Sequence, residues 1–243
     1  MTAVVVGASS GLGRALCEEL AARGRNLVII AGHLEDCTRL ADHLRLLHGV
    51  ETLALAIDAG DPVEFRDRLA RGLEDAGPIA DLFLPMGLAL DDDRIGESAR
   101  TFERIWKINY MAIVLAIELI QPLMVANAGR IVGFGSIAAV RTRNRNVQYS
   151  ASKSALSSYF EGLRHALAPS GQIAQFYVIG YVASGQSFGK TQLFPAMPAR
   201  RAARIILEDR DRDFGRRFLP GYWALIAAVL GLLPWRVFSR LRF

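Results

Sequence analysis

Lysine is almost missing from this chain of 243 residues: Lys107, Lys153 and Lys190 are the only three among 29 lysines and arginines. Positive charge is written as arginine nearly everywhere, so a retained lysine marks a place that wants a compact ammonium. Cysteine is as scarce. Cys17 and Cys37 are too few for a disulfide scaffold and sit in no motif, which reads as reduced thiols in a cytoplasmic setting. The four histidines, His33, His43, His48 and His165, have no metal-ligand spacing, so no metal is expected. Net charge is only +5 and the basic residues are dispersed, which argues against a nucleic-acid partner. Repeats, low-complexity tracts and interdomain linkers are absent, and Thr2 opens straight into an apolar run with no leader expected. Charge of either sign is missing from Phe218 to Trp235.

One of the three lysines carries the first positive signal. Tyr149-Ser150-Ala151-Ser152-Lys153 sets a phenol and an ammonium one helical turn apart, on the same face. A phenol titrates near ~10, too high for proton transfer at neutral pH, and a neighbouring ammonium lowers it by favouring the phenolate. Lysine can also aim three donors at a cofactor hydroxyl. Ser136 precedes Tyr149 in the same region. Alone, the pair is better read as an ordinary surface helix, since Tyr-x-x-x-Lys is a common spacing.

The amino-terminal segment changes that balance. Ala3-Val4-Val5-Val6 reads as a buried parallel strand, followed at once by Gly7-Ala8-Ser9-Ser10-Gly11-Leu12-Gly13. Leu12, Ala15, Leu16 and Leu20 then recur at helical spacing up to Gly24. Strand, glycine turn and helix form the setting in which such glycines hold a nucleotide. Gly7 permits the turn, Gly11 opens backbone amides to a pyrophosphate, and Gly13 allows close helix–strand contact. A bland turn rich in Gly and Ser is the other reading.

Along the chain, strands are expected near 3–6, 27–31, 52–57, 80–84, 130–134 and 173–179. Helices are expected near 12–23, 35–48, 62–74, 100–125, 149–168 and 198–208. Alternation of this kind predicts an α/β fold: a Rossmann-type, doubly wound parallel sheet in a single domain over 1–217, with an apolar helical extension over 218–243. The mixed segment from Ser184 to Pro198 is a candidate substrate lid.

With these motifs in order, the chain resembles the short-chain dehydrogenase/reductase family from Val4 to about Ser184. The pieces are the Gly7–Gly13 turn, Asp58, Lys107-Ile108-Asn109-Tyr110, Gly135-Ser136, Tyr149 with Lys153, and Gly180-Tyr181-Val182. It departs from the family pattern at Leu84-Pro85-Met86-Gly87 and at Ile179, where Asn-Asn-Ala-Gly and a proline are usual. The resemblance implies a catalytic set of Asn109, Ser136, Tyr149 and Lys153. Ser136 would hold the substrate carbonyl, Tyr149 act as general acid/base, and Lys153 grip the nicotinamide ribose while depressing the Tyr149 pKa. Asn109 would steady a water-linked proton path behind Lys153. It also implies NAD(P)(H) held by Gly7, Ser9, Ser10, Gly11, Leu12, Gly13, His33, Asp58, Gly87, Tyr149, Lys153, Gly180 and Val182. Ile30-Ala31-Gly32-His33 offers no carboxylate for a free ribose 2′-hydroxyl, which leans to NADP(H) with NAD(H) still open; Arg14 or His33 would assist a phosphate. Asp58 is read either as an acceptor for the adenine amino group or as a loop cap. Homodimers or homotetramers are the family's habit.

The uncharged stretch 218–235 is flanked by Arg216 and Arg217 before it and Arg236, Arg240 and Arg242 after it. Broken by Pro220-Gly221 and Pro234, it is too short as helix for a ~30 Å bilayer core. With Trp223 and Trp235 it suits a membrane interface, or equally a helix packed on the protein. Met86-Gly87-Leu88, Arg141 to Asn146, Leu219-Pro220-Gly221-Tyr222 and Leu233-Pro234-Trp235-Arg236-Val237-Phe238 look like the decaprenylphosphoryl-2-keto-ribose reductase branch. That likeness implies a keto-sugar on a polyprenyl phosphate, a partner oxidase and a peripheral place at the inner membrane face. Arg141, Arg143 and Arg145 are candidate phosphate ligands, or solvated loop cations. A reductase of another hydrophobic ketone, such as a lipid-like 3-keto compound, is the alternative; a nucleotide-sensing protein without turnover is the third reading.

Overall fold

The computed structural model of the chain describes residues 1–74, 76–96, 98–126, 128–183 and 194–240. Seven strands form one wholly parallel sheet in the order β3-β2-β1-β4-β5-β6-β7. The strands are β1 (Thr2–Val6), β2 (Asn26–Ala31), β3 (Thr52–Ala56), β4 (Ile79–Leu84), β5 (Arg130–Ser136), β6 (Ile173–Ile179) and β7 (Arg216–Leu219). The connecting helices are α1 (Gly11–Ala21), α2 (Leu34–His48), α3 (Pro62–Gly72), α4 (Ala99–Trp106), α5 (Ala112–Ile120), α6 (Val147–Leu167) and α7 (Ala199–Glu208). Two short helices close the chain, α8 (Trp223–Leu232) and α9 (Trp235–Phe238).

Strand alternation builds the core on both faces at once. Ala3 and Val5 of β1 pack with Leu16 and Leu20 of α1 and Ile206 of α7, whereas Val4 and Val6 join Phe65 of α3, Ile117 of α5 and Phe160 of α6. A parallel sheet covered by helices on both sides needs such continuous apolar strands, and β1 and β4 are buried along their whole length. Asp61 caps α3 by accepting from Val63 N and Glu64 N, with Pro62 at the first helical position.

Two elements differ from the sequence reading. The single helix expected over 100–125 is interrupted by a π-helical turn, Lys107–Met111, where Asn109 is fully buried. One extra residue per turn rotates the following helix and aims Asn109 inward, the usual use of such bulges. β7 was not expected at all. It has four residues, begins with two arginines and occupies the sheet edge, where a brief charged strand discourages pairing with other chains. Phe218 and Leu219, placed in the extension by the sequence reading, therefore belong to the sheet.

Candidate active site

A cavity of about 540 Å³ opens at the carboxyl edge of the sheet between β1 and β4, the point where the strand order reverses direction. Its first wall is the glycine turn, with Gly7, Ser9, Ser10, Gly11, Leu12 and Gly13 all facing it. Gly7 has φ of 93°, and a Cβ there would stand 2.8 Å from the Met86 backbone. A Cβ on Gly13 would strike the Gly7 carbonyl. Only glycine fits either position, and the resulting cradle brings main chain against the cavity. α1 starts there with no side-chain cap from Ser10, which leaves its positive end to an anion. The donor set suits the pyrophosphate of a dinucleotide.

Gly32, Ile57, Asp58 and Ala59 line the next part of the cavity. Asp58 caps its own loop, accepting from Gly60 N at 2.8 Å, so the loop-cap reading is realised in a residue that also faces the cavity. His33, of the expected set, precedes α2 with extended backbone and lies exposed beside Gly32, which lines the cavity. Arg14 is paired with Glu18 on the exposed side of α1.

The far end holds Gly87, Tyr149, Lys153, Gly180 and Val182. Ser136, at the end of β5, accepts from Ala138 N and hydrogen-bonds the Tyr149 phenol. Tyr149 and Lys153 rise from the first turns of α6 on one face, as the spacing required. Burial pushes the Tyr149 phenol up from its ordinary value, and the Ser136 hydrogen bond only partly opposes this. The Lys153 ammonium donates to Met86 O (3.2 Å) and Phe134 O (3.1 Å). Desolvation lowers the Lys153 pKa to about 8. Two of three donors are spent on main-chain carbonyls, which leaves one for a ligand hydroxyl.

Asn109 is a brace in this geometry. Its Oδ1 accepts from Leu88 N at 2.6 Å, and its Nδ2 donates to Leu88 O at 2.9 Å and to Ser152 Oγ at 3.3 Å. Ser152 Oγ donates in turn to Tyr149 O. A Cβ on Gly87 would lie 3.2 Å from Lys153 Nζ and 3.8 Å from Asn109 Oδ1, so glycine keeps open the space between them.

Of the three candidate phosphate ligands, Arg141 is occupied. Its guanidinium donates to Leu230 O and Leu233 O at the end of α8 and stacks on the Phe238 ring of α9. Arg143 is half-buried with partners of its own, and Arg145 is exposed. The residues 184–193 of the expected lid lie outside the described residues. Its base is closed by a bridge between Val182 and Met197, with Ala183 N donating to Met197 O.

Two residues of the site escaped the sequence reading. Trp223 is buried against Gly180, where any Cβ would collide with its indole, and it packs edge-on to Tyr181 and Phe194. Asp93, in the loop between β4 and α4, is 1% exposed and accepts from Gln148 N and Tyr149 N, both at 2.8 Å. Within an acidic run, Asp91-Asp92-Asp93, nothing local connects that residue to a helix more than fifty positions later.

Comparison with known proteins agrees with this geometry. The chain is 29% identical over 245 residues to an uncharacterised oxidoreductase of Mycobacterium tuberculosis, covering 98% of this chain and 96% of that one. It is 29% identical over 190 residues to a very-long-chain 3-oxoacyl-CoA reductase of Anas platyrhynchos, covering 76% of this chain but only 61% of that enzyme's length. A blue fluorescent protein from a metagenomic library, solved with NADPH, superposes with a TM-score of 0.83 at 27% identity, covering 92% of this chain and 97% of that one. The short chain dehydrogenase model matches residues 1–206. With that match laid over the glycine cradle and the Ser136–Tyr149–Lys153 cluster, the chain belongs to the short chain dehydrogenase family of NAD(P)-dependent oxidoreductases.

Proposed function

We propose that the chain reduces a ketone carried on a lipid, a keto-sugar on a polyprenyl phosphate, with NADPH as the preferred hydride donor. The observation that carries the reductase reading is the meeting of a protonated Tyr149 and Lys153 at one end of a cavity whose other end is the glycine cradle, with Ser136 hydrogen-bonded to the Tyr149 phenol from an adjoining hollow. Bound nicotinamide supplies the hydride. The protein's part is to hold the carbonyl oxygen with the Ser136 hydroxyl and deliver the Tyr149 proton to it. Burial keeps that phenol protonated at neutral pH, which suits reduction. Lys153 would hold the ribose with its remaining donor, and Gly180 and Val182 would flank the ring. The intact cluster argues against a mere nucleotide sensor. NADPH is favoured because no carboxylate stands beside Gly32 to repel a 2′-phosphate, and a structural relative holds that cofactor.

Support for a lipid-borne substrate comes from α8 and α9. α8 buries only Trp223 and Ala227, while Leu225 (73% exposed), Leu232 (84%) and Trp235 (70%) point outward. Arg236 and Arg240 border that face and would meet anionic headgroups of the cytoplasmic leaflet. Ten residues of α8 cannot cross a bilayer but can lie in its interface. The stretch Ala99–Leu123 is long and apolar enough to span one, yet Ile113, Ala116, Ile117 and Ile120 within it pack into the core. Exposed Phe102, Met111 and Leu123 on that same stretch suit a second copy, as a homodimer or homotetramer. A separate oxidase would supply the ketone. The second reading, a 3-oxoacyl-type or other hydrophobic ketone, is favoured by the likeness to the 3-oxoacyl-CoA reductase. Following NADPH oxidation over keto-sugar phospholipids, 3-oxoacyl thioesters and small ketones, with and without anionic vesicles, decides between them. Turnover of the thioesters in preference to the keto-sugar lipid sinks the first reading.

A further inference from the structure

We infer that Asp93 is the positioning residue of the proton donor, holding the start of α6 so that the Tyr149 phenol meets Ser136 at the substrate carbonyl. The inference rests on the catalytic role given to Tyr149 above.

The first turn of any helix leaves backbone amides without intrahelical partners, and a local Ser, Thr, Asp or Asn side chain normally takes them. α6 has no such cap. Its flanking residue Asn146 makes no side-chain capping bond and sits in the left-handed region, at φ of 64°, the one non-glycine residue there among the described residues. The amides of Gln148 and Tyr149 are instead met by the Asp93 carboxylate, one oxygen each at 2.8 Å. Asn146 N donates to Asp93 O at 2.9 Å, so side chain and main chain of one loop residue together receive the helix start. A buried carboxylate facing a positive helix end makes these bonds shorter and stronger than neutral ones.

The loop that presents Asp93 is itself fixed from the catalytic side. Asn109 grips both polar atoms of Leu88, and Asp92 Oδ2 accepts from the Thr101 hydroxyl at 2.6 Å. Trp106 Nε1 donates to the Gln148 side chain at 3.0 Å, a second tie between this layer and the first turn of α6. A continuous chain of bonds thus runs from Asn109 through the loop to the Tyr149 backbone. Lys153 is anchored separately, on Met86 O and Phe134 O, one turn further along. Loss of Asp93 should therefore displace the phenol more than the ammonium.

This separation gives the test. Asp93→Asn keeps one acceptor and loses the other, and Asp93→Ala loses both. Expected are kcat falls of about tenfold and about a hundredfold, since a misplacement near 1 Å can remove that much rate. The dissociation constant for NADPH, read by fluorescence in protein shown folded by circular dichroism, should stay within about threefold, because the glycine cradle is untouched. KM for a small ketone should change little. Should Asp93→Ala fail to fold, the Asn variant alone decides. Unchanged kcat per folded molecule in Asp93→Asn overturns the inference. So does a parallel loss of kcat and NADPH affinity, which marks melting of the whole helix start. A Tyr149→Phe control separates the two ideas. If that variant stays active the catalytic reading itself has failed; if it is dead while Asp93→Asn is normal, only the present inference falls.

Discussion

At the scale of single residues, the site depends on which groups are desolvated and what they face. Tyr149→Phe removes only the proton donor, so it should bind NADPH normally and lose roughly 10²–10⁴ in turnover. Steady-state kinetics beside a cofactor titration measures both. Lys153 carries a pH signature. Its pKa is lowered to about 8 by desolvation, so the ammonium is present below that value and lost above it. NADPH affinity should therefore weaken as pH rises through about 8, and in Lys153→Arg the same titration should be flat. The linked effect on stability has the opposite sign. Between about 8 in the folded chain and ~10.4 unfolded, the unfolded state binds more protons, so stability rises with pH across that window. The pairing of Tyr149 and Lys153 was legible from their spacing. The destination of the ammonium was not, because Met86 O and Phe134 O come from two other strands' ends.

Elements are held by pairings that join distant parts of the chain. Asp81 of β4 and Arg130 of β5 are register partners in the sheet and form an ion pair at 3.0 Å with both side chains almost wholly buried. Arg130 also lies over the Phe83 ring and donates to Ile206 O of α7. Removing one partner strands a buried charge, so Asp81→Asn should cost about 3–5 kcal/mol, read as a lower urea midpoint. Gly180 and Trp223 make a second pairing. Gly180→Ala would drive a Cβ into the indole and should cost about 1–3 kcal/mol, and Trp223→Leu should recover part of it. A double-mutant cycle with no coupling between the two positions would refute that account. Strand and helix positions were largely readable from apolar periodicity. The π-helical turn was not, since Lys107–Met111 lies in one unbroken helical run with its neighbours and nothing in its residue types marks the change in hydrogen bonding.

For the molecule as a whole, the proposed membrane-interface role of α8 and α9 is the feature to test. A truncation after Arg217 would cut β7 and remove Trp223 from Gly180, so it confounds membrane binding with loss of the sheet edge. Outward substitutions avoid this. Leu225→Glu with Leu232→Glu should abolish co-sedimentation with anionic vesicles while leaving turnover of a small soluble ketone unchanged. At about 25 cal/mol per Å² the two leucines carry much of the apolar contribution, so added salt alone should weaken binding only partly. If the double variant binds vesicles as well as the parent does, these helices serve another purpose. Arg141 ties them to the segment between Ser136 and Tyr149, so their seating and the catalytic end are mechanically joined.

The sequence by itself determined the parallel α/β architecture, the glycine cradle and the identity of Ser136, Tyr149 and Lys153. Those features depend on local pattern and on the family resemblance: short apolar runs alternating with helical repeats, a turn that only glycine fits, and two side chains one turn apart. Tertiary structure alone decided what each group meets. It left His33 exposed at the start of α2, gave Arg141 to the α8 carbonyls, extended the sheet to β7, and brought Asp93 to the start of α6. The reason is physical. Hydrogen-bond partners, desolvation and burial arise from segments far apart in sequence, and no local pattern records which of them fold together.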